Sequence, residues 1–365
     1  MAGRIVLFGA TGYTGRLVAH ALEKRGARPV LAARSREKLE QLASERGGLE
    51  TQVADVSDPK SVRALVERGD VLVSTVGPFV RWGRPAVEAA VDAGAHYIDS
   101  TGEPPFIRAV FEEYGAAADK AGCGLLTAFG YDYVPGNLAG ALALERAGEH
   151  AEKVSVGYFF TGRGSIKGAA SGGTLASMGG VMLEPHFAFR EGRVVTERPA
   201  KRVRSFDRNG RAMTGISIGS SEHFGLPRVH PSLREVDAYL GWFGPASRAV
   251  QAVSVTGDIP GMRSLANGLV TRFVKGSTGG PDAEARSKTG SWFPAEAADS
   301  GGNVLARAEL SGPNGYTFTG DIMAWGAQRA ASEGLEGTGA LGPVEAFGLR
   351  VLEAGSADVG LKEAG

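Results

Sequence analysis

The sequence of 365 residues holds one cysteine, Cys123. A lone thiol can form no intrachain disulfide. With no second thiol and no Cys/His cluster, neither a redox pair nor a zinc site is indicated, and no metal is expected. The chain also lacks an excess of either charge, with 40 Lys+Arg against 40 Asp+Glu. That balance argues against a protein held to nucleic acid by bulk electrostatics, though it leaves room for a local basic patch. No run of about 18 apolar residues occurs, so no membrane span is expected. The first apolar segment, Ile5–Phe8, is too short for a signal-peptide core and meets a glycine loop at once, so a cytoplasmic protein is the expectation. Glycine, by contrast, is plentiful: 55 residues, about twice average usage. It has no fixed period, which implies many tight turns and no repeat architecture.

With 43% hydrophobic residues the chain can build more than one core, and its length suggests two domains. The first 130 or so residues alternate short β-like runs with helical stretches. Ile5–Phe8, Val30–Ala33, residues 51–54, 71–76, 96–98 and 125–128 read as strands. Residues 16–25, 37–45, 61–68, 85–92 and 107–121 read as the helices between them. Such alternation implies βαβ units, a parallel sheet and right-handed crossovers, with every post-strand loop on one edge. Beyond residue 150 the pattern changes. Residues 154–160, 234–242, 292–298 and 304–310 read as longer strands, and Asn209-Gly210 marks a hairpin turn within 203–214. Residues 316–319 lead into an apolar helix near 322–331, residues 276–290 and 333–339 read as loops, and a last helix is expected near 344–352. The expected class is therefore α/β: an N-terminal Rossmann domain with a doubly wound parallel sheet (1–135), an α+β substrate domain (136–332), and a C-terminal segment (333–365) returning to the first domain.

The most informative motif is Gly9-Ala10-Thr11-Gly12-Tyr13-Thr14-Gly15, directly after the first strand. A dinucleotide pyrophosphate needs backbone N–H groups, a helix N-terminus and no obstructing side chains, and glycines at this spacing supply them. A glycine triplet alone is weak evidence in so glycine-rich a chain, but its place between a strand and an amphipathic helix gives it meaning. The second strand then ends in Arg34, 19 residues after Gly15, where NAD enzymes usually carry an acid. Ser35, Arg36 and Lys38 follow. A guanidinium suits a 2′-phosphate and a carboxylate would repel it, so NADPH/NADP+ is expected over NADH. The competing reading leaves Arg34 and Arg36 as solvated loop charges. Asp55, after the third strand, is a candidate for the adenine edge, and Asp58 for a helix cap. Val76-Gly77-Pro78-Phe79, after the fourth strand, is a candidate for the ribose and nicotinamide, with a plain turn as the alternative.

Together with Ala33-Arg34-Ser35, residues 74–79, His96-Tyr97-Ile98-Asp99-Ser100-Thr101-Gly102-Glu103 and residues 130–136, these motifs resemble the saccharopine dehydrogenase-like oxidoreductases. More narrowly they resemble the bacterial branch called trans-acting enoyl reductases. Residues 171–177, 315–319 and 341–348 also match, though the likeness is strong only over about residues 1–140. The resemblance implies NADP(H), a Rossmann domain and a following substrate domain, without fixing the substrate. Reducing an enone or enoyl thioester places charge on a carbonyl oxygen and needs a proton at the α-carbon. Tyr133 or Tyr131 is the candidate donor, with Asp132 orienting it, and Glu103 is a further site residue. The plainer readings make Asp132 a cap for the helix near Pro135 and Glu103 a first-turn helix charge. His96, Lys167, His223 and Lys288 read as structural or surface groups. Residues 168–183, with Ser171, Thr174 and Ser177 at helical spacing, read as a substrate-helix start or lid. The basic run of Lys201, Arg202, Arg204, Arg208 and Arg211 reads as a solvated hairpin or a receptor for an acidic carrier or coenzyme A.

The expectation is an NADPH-dependent reductase of a conjugated C=C bond in polyketide, lipid or other secondary metabolism. Its partner would be a small-molecule or carrier-bound acyl substrate, and a homodimer is left open. The alternatives are a saccharopine-type dehydrogenase acting on a C–N bond and a non-catalytic nucleotide-binding scaffold.

Overall fold

The computed structural model describes residues 3–162, 184–256 and 279–364. Lys167 and the expected lid 168–183 lie outside them. The chain divides into two compact units, Met1–Val134 with Gly315–Val359, and Pro135–Asn314 with Gly360–Gly365.

The first unit is built on a seven-stranded parallel sheet. Its strands are β1 (Ile5–Phe8), β2 (Val30–Ala33), β3 (Thr51–Val53), β4 (Val71–Ser74), β5 (His96–Asp99), β6 (Gly124–Leu126) and the short strand Gly339–Ala340. Their spatial order is Gly339–Ala340, β6, β5, β4, β1, β2, β3. Every residue of β1, β2 and β4 is buried, as parallel strands covered on both faces require. The winding direction reverses between β1 and β4, and ligands of open α/β sheets bind at the carboxyl ends of the strands at such a switch point.

The helix Tyr13–Lys24 turns Val18, Ala19, Ala21 and Leu22 into the core. Val18 and Leu22 are wholly enclosed, each contributing roughly 1.5–3 kcal/mol. Against this helix lies the long helix Gly315–Glu333. A Cβ on its Gly320 would meet Leu17 Cβ at 3.0 Å, so glycine lets the two axes close. The sequence reading placed residues 315–332 in the second domain and opened this helix near 322. In the structure the helix starts at Gly315 and belongs to the first unit. Phe318 and Thr319 are buried in step with Ile322 and Met323, so the i, i+4 period is already running there. The terminal helix is broken in two, Pro343–Phe347 and Leu349–Asp358, at Gly348 with φ 73°. Residues 360–365, expected on the first domain, belong to the second unit through the strand Lys362–Glu363.

The second unit carries a largely antiparallel sheet. Its strands are β7 (Lys153–Gly162), β8 (His186–Arg190), β9 (Arg193–Glu197), β10 (Val203–Arg208), β11 (Arg211–Ile218), β12 (Glu235–Leu240), β13 (Thr289–Ala298) and β14 (Val304–Pro313). Only the β12–β7 pair is parallel. β10 and β11 pair through Arg208 and Arg211 around Asn209 and Gly210, both at positive φ, as a two-residue hairpin demands. Phe159, Phe206, Tyr239 and Trp292 pack as one aromatic core. Within the expected loop 276–290, Asp282 caps a short helix, Ala283–Ser287, by accepting the Ala285 N–H at 2.8 Å.

Candidate active site

The loop after β1 is shaped by what its glycines lack. Gly9 has φ 90°, and a Cβ there would meet Thr75 Oγ1 at 2.6 Å. A Cβ on Gly15 would lie 2.2 Å from the Gly9 carbonyl oxygen and 2.8 Å from Ala10 Cα. Gly12 stands at the head of the helix Tyr13–Lys24, which has no side-chain cap and no acid in its first turn. Its first N–H groups and its positive dipole end are therefore suited to an anion, with no acid in the first turn. Thr11, Tyr13 and Thr14 are half-buried around this cradle. The Tyr13 ring sits edge-on to Tyr316, with centroids 5.2 Å apart. Thr75, which sequence reading did not single out, directs its hydroxyl to the Phe8 and Gly9 carbonyls at 3.3 and 3.2 Å. It joins the β1 and β4 loops. Its only sequence signal is its place one residue past a strand.

Arg34 emerges exposed at the end of β2 and makes no ion pair among the described residues. Ser35 caps the next helix by accepting the Lys38 N–H, leaving the Lys38 ammonium exposed beside it. Asp55 accepts from the Ser57 N–H and hydroxyl at 2.8 and 2.7 Å. Those bonds, and secondarily the charge of Arg34, hold its carboxyl below the ordinary range. Asp58 is the expected cap, accepting the Lys60 N–H at 3.2 Å.

On the β4 loop, Val76 is half-buried, Gly77 and Pro78 are exposed, and Phe79 is buried against Phe106. The Phe79 and Val80 N–H groups, which open the short helix Phe79–Trp82, both donate to the Glu103 carboxylate at 2.9 Å. Glu103 thus clamps the β4 loop to the β5 loop through two backbone donors.

Asp99 closes the end of β5. It accepts from the Thr101 and Ala128 N–H groups, each at 2.9 Å, and from the Thr127 hydroxyl at 2.8 Å. Burial outweighs these bonds and lifts its pKa to about 6. The loop after β6 presents Tyr131, Asp132 and Tyr133 in a row. Tyr131 donates its N–H to Thr319 Oγ1 at 3.0 Å, and its ring lies where a Cβ on Gly315 would go. Tyr133 is 1% exposed and Tyr131 7%. Asp132 accepts no hydrogen bond among the described residues, so it caps no helix and orients no tyrosine. Its Oδ1 is enclosed, burial raises its pKa to about 7, and a Cβ on Gly102 would lie 2.7 Å from its Oδ2.

Burial presses His223 down to about 4. Lys288 pairs with Glu284. In the basic run, Lys201 pairs with Glu197, Arg202 with Glu197 and Asp237, and Arg204 with Glu296. Those three arginine and lysine charges are spent within the sheet. His96, at the start of β5, accepts the Gly124 N–H at 3.0 Å on the edge opposite the loops. Among the described residues no cluster of His, Cys, Asp and Glu could hold a metal, and no helix is long and apolar enough to cross a membrane.

A strand order reversing between β1 and β4, with a glycine cradle and an uncapped helix at that switch point, defines a dinucleotide-dependent oxidoreductase. Residues 5–125 match the family model of the saccharopine dehydrogenase NADP binding domain. The chain belongs to the saccharopine dehydrogenase-like NADP-dependent oxidoreductases, in the branch of the trans-acting enoyl reductases. It is 30% identical over 369 residues to a putative trans-acting enoyl reductase of Mycobacterium tuberculosis, covering 87% of this chain and 86% of that protein. A trans-acting enoyl reductase of Mycobacterium ulcerans matches at 38% over 140 residues, 37% of this chain and 34% of that one. The fold is also that of apo saccharopine dehydrogenase (L-Glu forming) from Saccharomyces cerevisiae, with TM-score 0.59, 11% identity and 99% of both chains covered. The cofactor is NADP(H), and the cradle left by Gly9 and Gly15 fits its pyrophosphate.

Proposed function

We propose that the protein reduces a conjugated carbon–carbon double bond of an acyl thioester or enone. The observation that carries this reading is the likeness to a putative trans-acting enoyl reductase over 87% of the chain, well beyond the NADP-binding domain. Bound NADPH supplies the hydride. The chain's own groups divide the remaining work. The glycine loop and the head of the helix Tyr13–Lys24 hold the pyrophosphate. Arg34, with Ser35 and Lys38 beside it, receives the 2′-phosphate, and Asp55 borders the adenine side. Val76, Gly77 and Pro78 take the nicotinamide side, with Phe79 and Glu103 fixing their loop from behind. Tyr131 or Tyr133 donates to the carbonyl oxygen as charge grows there.

The test follows NADPH oxidation with enoyl thioesters, presented free, on coenzyme A or on a carrier protein, beside a keto acid with an amine. Turnover of an enoyl thioester alone is the expected result. Turnover of the keto acid and amine alone would transfer the protein to C–N chemistry. Tight NADPH binding with no turnover of either would leave a nucleotide-binding scaffold.

A further inference from the structure

We infer that Asp132 is itself the proton donor to the α-carbon in this reduction, a role that rests on the enoyl-reductase reading. The inference begins with placement. Asp132 follows β6 on the carboxyl edge of the parallel sheet, two strands from the switch point. Its carboxyl lies on Gly102, whose missing side chain is what admits it: a Cβ there would stand 2.7 Å from Oδ2 and 3.3 Å from Cγ. Gly102 is held between two anchored residues. Thr101 is fixed by the Asp99 carboxylate, and Glu103 grips the Phe79 and Val80 N–H groups directly after Gly77-Pro78. A short covalent and hydrogen-bonded path therefore links the nicotinamide-side loop to the Asp132 carboxyl.

The second observation is what Asp132 lacks. Its Oδ1 is enclosed and meets no donor among the described residues, although an ionised carboxylate can accept several bonds. Leaving a buried charge so undersupplied is costly, and the protonated form escapes most of that cost. Among the described residues, no positive charge acts on it. Tyr131 and Tyr133 flank it on its own segment. On the facing turn, the Asp99 and Glu103 carboxylates are bound to backbone N–H groups. Burial alone raises its pKa, to about 7, which suits a group that must give up a proton near neutrality. The residue as a whole remains partly exposed.

The step balances. Hydride addition at the β-carbon pushes the π electron pair to the α-carbon and carbonyl. The Asp132 O–H bond then breaks as the α-carbon forms a C–H bond. The carboxylate left behind regains its proton from water.

Two readouts test the assignment. In the ligand-free protein, infrared difference titration should show a protonated carboxyl band that fades with a midpoint near pH 7 and is absent from Asp132→Asn. With an enoyl thioester, Asp132→Asn should lose about 100-fold in kcat, a general acid's usual share, while NADPH affinity stays within about twofold. The fall of wild-type kcat above about pH 7 should vanish in the variant. Undiminished turnover with an unchanged pH profile would overturn the donor role while leaving the function standing. If the wild type reduces no enoyl thioester, the function falls on its own. The infrared arm still decides the carboxyl, because absence of a band specific to Asp132 overturns the inference. Should Asp132→Asn not fold, Gly102→Ala reads the same group by pressing a methyl against it. The expected result is a displaced infrared midpoint and slower turnover, and neither effect appearing counts against the role.

Discussion

The two halves of the sheet edge in the first unit are built from opposite materials. Around β1, β2 and β4 the site is made by subtraction: Gly9 and Gly15 clear space, Gly12 leaves a helix uncapped, and backbone N–H groups are left open there. Around β5 and β6 it is made of carboxylates, and these divide again. Asp99 and Glu103 are saturated with donors, five bonds between them, and hold loops in place. Asp132 has none. A buried acid with its bonds made is a fastener, whereas one without them is under electrostatic stress and available for chemistry.

That division breaks most sharply at Asp99. Alanine there strands two N–H groups and a hydroxyl in the interior, at about 1–3 kcal/mol each. Some of this is offset, because burial already penalises the charged carboxylate. We expect Asp99→Ala to lose about 3 kcal/mol of stability at pH 7, measured by urea unfolding. A loss under about 1 kcal/mol would mean that the fastener is dispensable. On the other half, Gly15→Ala places a methyl against backbone at 2.2 and 2.8 Å, which no side-chain rotation relieves. NADPH affinity should fall about 100-fold, roughly 2.7 kcal/mol, and the forced backbone shift should also cost about 1–3 kcal/mol of stability. Fluorescence titration reads it, and near-normal binding would show that the cradle gives way.

How much of this was legible follows the same line. The glycine loop could be read from the sequence because its chemistry is local: strand, triplet and helix are contiguous over residues 5–24. The position of Arg34, exposed at the end of the second strand, was legible for the same reason. Glu103 and Asp132 were visible as residues but not as roles, since their partners lie 23–24 positions away at Phe79 and Val80, or are missing altogether. Glu103 clamps the Phe79 and Val80 N–H groups, and nothing within its own segment says so. The helix Gly315–Glu333 was placed in the wrong unit because a helix apolar nearly all round carries no stripe to show what it packs on. The sequence left the basic run open between a solvated hairpin and a docking patch because Glu197, Asp237 and Glu296, which pair with Lys201, Arg202 and Arg204, lie on other strands.

The unsatisfied state of Asp132 can also be weighed without catalysis. Its folded pKa, about 7, stands above the ordinary 3.8. Between those values the folded chain keeps a proton that the unfolded chain releases. The stabilisation is therefore complete below about pH 4 and is lost as pH rises through 7. The stability of Asp132→Asn minus that of the wild type should then climb by about 2 kcal/mol from pH 4 to pH 8, after a discount for the partial exposure of the residue. Asp99 titrates in the same sense but is common to both proteins and cancels. A difference flat in pH would place Asp132 among the ordinary carboxylates, beside Asp55.

The smallest effect belongs to Arg34, a charged side chain on the half otherwise built largely from backbone. Arg34 is exposed and has no carboxylate partner of its own among the described residues; its charge reaches Asp55 only as a weak through-space influence. A 2′-phosphate would give it a charge-assisted, bidentate partner at a rim still open to water and salt, so the gain is moderate. Arg34→Ala should raise the Kd for NADPH about 10-fold and leave that for NADH within about twofold, narrowing the preference by about 1.4 kcal/mol. Raising ionic strength should erode wild-type NADPH binding more than the variant's, because the lost contact is the screened one. If both cofactors weaken equally, Arg34 supports the loop and does not read the phosphate, and the discrimination shifts to the exposed Arg36 and Lys38 on the first turn of the next helix.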